Sequence, residues 1–354
     1  KKSWEALNDK KGWDASNLTQ GLEKSIQENN IEEGQWVMDP FSGVGTTLLE
    51  CMKAKIYSVG FDMSPLPCFV SEVKSEAYSK ADVVFAKDYV SKLNSKTKKT
   101  KNIPPYNKFF DLYSGNISSD ILKIKYHYEN CENKKIKNIL KLGYLSIAGE
   151  YSNRMKDGNG LRKRKVYNPP KTILPVFRAK IHEYLHDIEN GARVKKKYFP
   201  KIINDSILNV DLNSYTRNRK FHGVIFSPPY PNCFDYTEVY KVEMWLGELI
   251  DNVKDLRPYR NIMIRSAVNC MFDFTINNKN KDVDLICEYL NTYNLWNKRI
   301  PLMIQGYFDD MTNVLKKLYE HLYEGAPINI IVANSCYKGV LIPTDALLCR
   351  IGES

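Results

Sequence analysis

The stretch "GQWVMDPFSGVGTTLLECMKAKIYSVGFDMSP" constrains the fold more than any other. An apolar run at 36–38 stops at Asp39, and Gly43 and Gly45 mark a turn. A helix-length segment fills 46–53, and a second apolar run at 56–61 stops at Asp62. Two strands joined through a helix run parallel, their crossover is right-handed, and a parallel sheet needs cover on both faces. The same pattern recurs downstream. "ADVVFAKD" reads as a third strand ending at Asp88, "HGVIF" as a fourth, and 328–332 as another, preceded by an amphipathic helix with a stop at Gly325. "YTEVYKVEMWLGELI" reads as one helix. The expected architecture is α/β: an open, mostly parallel sheet with helices on both faces.

The net charge of +11 is unevenly placed. Residues 91–200 hold 25 Lys and Arg against 9 Asp and Glu, so the rest of the chain is slightly acidic. Helical periodicity and a glycine- and proline-bearing loop mark this region as a basic, largely helical insertion. The expected organisation is therefore 1–90 as the first part of a catalytic domain, 91–219 as the insertion, and 220–354 as the second part. In "GNGLRKRKVYNPPK" and "RVKKKYFPK" lysines and arginines are interleaved with aromatic rings. Asn159, Arg162, Lys163, Arg164, Lys165, Lys195, Lys196 and Lys197 are candidates for phosphate and base contacts, with a solvated surface as the plainer reading.

Eight cysteines without a CxxC pair fit a reducing, cytoplasmic compartment and indicate neither a disulfide framework nor a zinc site. His182 and His186 stand four apart on an expected helix without a third ligand in evident spacing, so no metal is expected. No apolar run reaches membrane-spanning length and no secretory-type leader is visible, so no membrane contact is expected. The first residues read as the interior of a longer chain.

Two constellations carry chemistry. In "DPFSGVGTT" a glycine turn lets a ligand approach the backbone beside a helix N-terminus, and Asp62 at the next strand tip is placed to accept from a ribose diol. Leu48 stands where a dinucleotide fingerprint has its third small residue, and Asp39 would repel a pyrophosphate. A positively charged or amine-bearing ligand suits the site better. In "SPPY", 227–230, two prolines remove amide donors and fix the backbone. The Ser227 hydroxyl and nearby carbonyls remain as acceptors suited to an exocyclic amino group, and Tyr230 offers a ring for a planar base. Each motif alone also fits a tight turn with ordinary packing.

In this order, "DPFSGVGTT" and then "SPPY", the chain closely resembles the exocyclic-amino DNA methyltransferases that use S-adenosylmethionine. The serine form of the tetrapeptide resembles their cytosine-N4 branch. "FDYTEVYKVEMWLG", "YFDDMTNVLKKLYEHLYEG" and "NIIVANSCYKGVLIPTD" look like later blocks of the family, and together the pieces cover roughly half of the chain. The resemblance implies a Rossmann-like fold. It implies a cofactor pocket from Asp39, Pro40, Phe41, Ser42, Gly43, Gly45, Thr46, Thr47, Asp62 and Met63, with Asp88 near the adenine amino group. Ser227, Pro228, Pro229 and Tyr230 would hold a cytosine flipped from double-stranded DNA. A cognate restriction endonuclease is the partner it implies. The stretch from about 92 to 219 has no counterpart in a minimal core of this family, and the upstream motif is only suggested by "GWDASNLTQGL" around Asp14. Cys233 has no role in this chemistry. Adenine-N6 methylation, RNA guanine methylation and an idle DNA-binding subunit are the competing readings.

Overall fold

The computed structural model describes residues 25–354 apart from 27, 104–108, 114, 158–159, 192–193, 217–218 and 271–272. β1 (Trp36–Asp39) turns through glycines into α1 (Thr46–Lys53), and the chain returns as β2 (Tyr57–Phe61). After α2 (Pro65–Ser75) and α3 (Lys80–Ser91) comes a helical block of α4 (Asn116–Glu129), α5 (Lys134–Glu150) and α6 (Leu174–Asn190). Between α5 and α6 an antiparallel hairpin forms from β3 (Arg154–Asp157) and β4 (Gly160–Lys163).

The chain re-enters the main sheet as β5 (Lys201–Ile203) and β6 (Gly223–Phe226). Then follow α7 (Tyr236–Val239), α8 (Lys241–Leu246), α9 (Leu256–Ile262), α10 (Lys281–Leu290) and α11 (Ile300–Glu320). β7 (Ile328–Ile330), a hairpin of β8 (Ser335–Tyr337) and β9 (Val340–Ile342), and α12 (Thr344–Glu353) complete the order.

The sheet order is β5-β2-β1-β6-β7, and every pairing is parallel. From β1 the chain steps outward to β2 and β5, then crosses back to β6 on the other side. The direction of winding reverses between β1 and β6, and in such sheets the ligand crevice opens beyond the carboxyl ends of the strands at that point. Both faces are covered. Met38, Phe61 and Phe226 pack on Met303, Tyr307 and Met311 of α11. Val37 and Ile225 pack on Cys51 of α1. The helical block has its own core, including Ile124, Leu140, Tyr144 and Phe177, which runs on into Val70 of α2 and Trp245 of α8. Each fully buried apolar side chain of this kind is worth about 1.5–3 kcal/mol over the exposed state, so the block is fused to the catalytic half.

Three expectations are corrected. "ADVVFAKD" is helix. The Ser79 hydroxyl accepts from the Asp82 amide at 3.1 Å while the Asp82 carboxylate accepts from the Ser79 amide at 2.9 Å, a capping box that starts α3. Val83, Ala86 and Val90 then fall on one buried stripe. The third strand is instead β5, which lies inside the 91–219 insertion, so the sheet crosses that boundary. The helix expected over 236–250 breaks at Tyr240 into α7 and α8. Among the described residues no helix is long and apolar enough to cross a membrane.

Candidate active site

The turn after β1 is strapped to the end of β2. The Ser42 amide donates to the Phe61 carbonyl at 2.8 Å, and the Gly45 amide donates to the Ser42 carbonyl at 2.8 Å. The Gly43 amide donates to Asp62 Oδ2 at 3.0 Å, and the Ser64 amide donates to Oδ1 at 2.8 Å, which fixes the second carboxylate. Gly45 sits at φ 75°, and a Cβ there would lie 2.0 Å from Ser71 Oγ of α2. Only glycine satisfies both the left-handed backbone and the close approach of α2. Asp39, 3% exposed, accepts from the Phe41 amide at 3.0 Å.

Burial dominates the electrostatics. It pushes the Asp39 carboxyl up to about 7, against the Thr47 hydroxyl and the Phe41 amide, with Asp62 adding to the rise. Burial likewise pushes Asp62 up to about 6, against its two amide bonds. Two carboxyls poised near neutrality in one cleft favour a ligand that brings positive charge or hydrogen-bond donors.

β6 is buried at all four positions and ends at Ser227, whose hydroxyl is 2.9 Å from the Tyr230 hydroxyl. Burial raises the Tyr230 phenol, so it stays protonated across the working range. The turn is held from beneath. The Tyr337 hydroxyl donates to the Pro231 carbonyl at 2.7 Å, and the Cys233 amide donates to the Ser266 carbonyl at 3.0 Å. Cys233 is buried with its thiol pushed up by burial, an unfavourable state for a nucleophile.

These strand tips meet in a cavity of about 310 Å³. In sheet order β5-β2-β1-β6 the tips contribute Asp205, Asp62, Asp39 and Ser227 to its lining. Neighbouring strands lie about 4.8 Å apart, so the four tips spread over roughly 14 Å, the span of an elongated ligand. Of the residues expected from sequence, Asp39, Pro40, Phe41, Ser42, Gly43, Thr46, Thr47, Asp62, Met63, Ser227 and Pro229 line this cavity. Gly45 shapes the turn behind it, and Pro228 is buried beside it.

Asp88 is misplaced. It lies on the solvent face of α3, paired with Lys92 at 2.5 Å, and takes no part in the cavity. Sequence reasoning missed Asp205, Ser206 and Ile207, because a three-residue strand inside a lysine-rich region leaves almost no periodic signal. It also missed the wall formed by Ile262, Met263 and Ile264, and the rings of Tyr236 and Tyr240. That wall is tied down by Arg265, which follows Ile264 directly. Its guanidinium is bound to Asp309 at 2.8 Å and Asp310 at 2.7 Å, all three largely buried.

The basic candidates divide. Arg162, Lys163 and Lys165 are exposed on or just after the β3–β4 hairpin, Arg162 paired with Asp157 at 2.6 Å. The hairpin adjoins the cleft: its Lys156 ammonium is 3.2 Å from Glu243 and 3.8 Å from the ring centre of Tyr240. Arg164 is structural instead, donating to the Ser152 carbonyl at 3.0 Å and the Glu150 carbonyl at 2.9 Å. Lys195, Lys196 and Lys197 precede β5, where Tyr198 packs on Tyr57 at the start of β2. They lie at the amino ends of the strands, the pole opposite the cavity. Asn159 and Asp14 lie outside the described residues. His182 and His186 are both exposed on α6, and among the described residues no three His, Cys, Asp or Glu side chains group as a metal site.

Comparison with known proteins agrees with this geometry. The chain is 28% identical to the type II methyltransferase M.BsoBI of Geobacillus stearothermophilus, over 96% of this chain and 75% of that protein. It is 25% identical to the type II methyltransferase M.AvaI of Anabaena variabilis, over 90% and 72%. With the type II methyltransferase M.MvaI of Kocuria varians it shares 22% identity, over 94% and 76%. All of these relatives are type II methyltransferases, and the likeness supports a type II, S-adenosylmethionine-dependent DNA methyltransferase family for this chain. No protein-family profile and no solved structure matches it.

S-adenosylmethionine is the cofactor of this methyltransferase, and the cavity fits it. A cationic amino-acid end, a ribose diol and an amino-bearing purine need acceptors spaced along one cleft. The row of Asp39, Asp62 and Asp205 beside apolar Phe41, Leu66 and Ile207 offers that set.

Proposed function

We propose that the methyltransferase transfers its methyl group to the N4 amino group of a cytosine flipped out of duplex DNA. The Ser227 hydroxyl carries this reading: a neutral acceptor, lining the cavity at the tip of β6 and held at 2.9 Å by Tyr230. In this site Asp39 faces the ammonium of the cofactor, Asp62 accepts from its ribose hydroxyls, and Asp205 takes the place by the adenine amino group that sequence reasoning gave to Asp88. Bound there, the cofactor supplies an electrophilic methyl on a sulfonium centre.

The chain supplies orientation. Ser227 and the Pro228 carbonyl accept from the two N4 hydrogens, which turns the nitrogen lone pair toward the methyl donor. Cytosine N4 is a poor nucleophile in solution because its lone pair is delocalised into the ring. Fixed acceptors that hold the amino group out of the ring plane recover part of that reactivity in the transition state. Tyr230 supplies a face for the extruded base, offsetting the few kcal/mol of unstacking. The β3–β4 hairpin, with Arg162, Lys163 and Lys165, is the surface placed to grip the flanking phosphates, and a restriction endonuclease of matching specificity is the partner such an enzyme protects against.

Mass spectrometry of nucleosides from DNA incubated with the protein and labelled cofactor tests the reading. N4-methylcytosine is expected. N6-methyladenine, methylated guanine from RNA in a parallel incubation, or no labelled nucleoside would each overturn it.

A further inference from the structure

Tyr236 opens α7 shortly beyond the SPPY turn and lines the cavity together with Ser227 and Pro229. The residue is 43% exposed. As one of the lining residues it contributes part of that surface to the cavity wall. Desolvation by the surrounding protein pushes the phenol up to about 12, with Tyr230 and Asp62 near enough to add to the rise. The ring therefore stands near both the SPPY turn and Asp62, and part of it remains uncovered by the protein.

The ring is also braced. Phe234 packs edge-on against it at 4.7 Å between centres. The backbone beneath is fixed by Asp235, 1% exposed, which accepts from the Thr237 amide at 2.9 Å and from Arg260 Nε at 3.0 Å. A rigid aromatic surface left open inside a cavity is unfavourable in water until something planar covers it. Tyr230, the ring singled out by sequence, has its hydroxyl engaged by Ser227 and is not among the residues lining the cavity.

We propose that Tyr236 is a substrate-contacting residue, a second stacking face for the flipped base on the cavity side of the SPPY turn. This rests on the function proposed above. It adds a named contact that the motif itself does not contain, and it makes the base site a slot whose cavity-side wall comes from α7.

The test uses the full chain with Tyr236→Phe, Tyr236→Leu and Tyr236→Ala, on duplex DNA containing the site mapped from wild-type methylated product. Stacking on an aromatic ring is worth about 1–3 kcal/mol per base, so Tyr236→Ala and Tyr236→Leu should lower kcat/KM for DNA by about 5- to 150-fold. Tyr236→Phe should stay within about twofold, because it keeps the ring. Calorimetric Kd for S-adenosylhomocysteine should be unchanged in all three, and the flipped-base fluorescence of a 2-aminopurine duplex should change only in the Leu and Ala variants. Unchanged DNA kinetics in Tyr236→Ala would overturn the proposal. So would a loss confined to S-adenosylhomocysteine binding, which would assign the ring to the cofactor's purine. A wild-type protein that methylates no DNA would instead sink the proposed function itself, an outcome read before any variant is made.

Discussion

Gly45→Ala is the sharpest perturbation that the site offers, because it meets two separate costs. The backbone at φ 75° asks an L-residue to sit in the left-handed region, at about 1–2 kcal/mol. The new Cβ would lie 2.0 Å from Ser71 Oγ and 2.8 Å from Ser71 Cβ, so α2 or the turn must shift, an overpacking cost of about 1–3 kcal/mol. Urea unfolding should therefore register a loss of about 2–5 kcal/mol, with weakened S-adenosylhomocysteine binding as the turn moves.

A second substitution separates the two terms. Ser71 Oγ has no hydrogen-bond partner among the described residues, so Ser71→Gly breaks no bond and costs only roughly 0.5–1 kcal/mol of helix propensity. In the double variant the nearest remaining atom is Ser71 Cα at 3.3 Å, and the overpacking share should be recovered while the left-handed share persists. Strict additivity of the two single variants would refute the argument, because it would mean that the Cβ never met Ser71.

Other consequences are as direct. Asp39 has a folded-state pKa of about 7 against an ordinary 3.8, so between these values the folded chain holds a proton that the unfolded chain has lost. Stability of the cofactor-free protein should fall as pH rises from about 4 to 7, and Asp39→Asn should flatten that slope in pH-dependent urea titrations. Arg265→Met leaves Asp309 and Asp310 buried without their cation and should cost about 3–5 kcal/mol by urea unfolding, while Ile262–Ile264, the cavity wall, loosens. Lys163→Gln with Lys165→Gln should reduce the salt dependence of DNA binding on every sequence, whereas Lys195→Gln, at the opposite pole, should leave it unchanged in filter-binding assays.

What the sequence disclosed follows from how densely each element signals itself. The β1–turn–α1–β2 unit was legible because glycines, apolar runs and two carboxylates coincide within a short span, and SPPY was legible because consecutive prolines admit few conformations. "ADVVFAKD" misled because a short apolar run carries no period long enough to distinguish strand from helix; the deciding feature, the Ser79–Asp82 capping box, lies upstream of it. Asp205 was invisible for the opposite reason: β5 is three residues long and follows a run of lysines, too short an apolar stretch to show a period. The lysine runs themselves show that charge density locates a region and not a face, since Arg162 and Lys197 are close in sequence yet stand at different poles of the molecule.

The late arrival of β5 has a consequence for how this protein is made. β2 ends at residue 61, yet its edge partner emerges from the ribosome only at 201–203, after the whole helical block. Until then one flank of the sheet is an unpaired parallel edge, and the wall that bears Asp205 does not exist. Folding of the pocket is thus slaved to folding of the basic block. Any shortening of the chain that excises 91–219 as a unit should abolish cofactor binding along with DNA binding, whereas a cut that rejoins before Lys201 preserves the strand that the pocket needs.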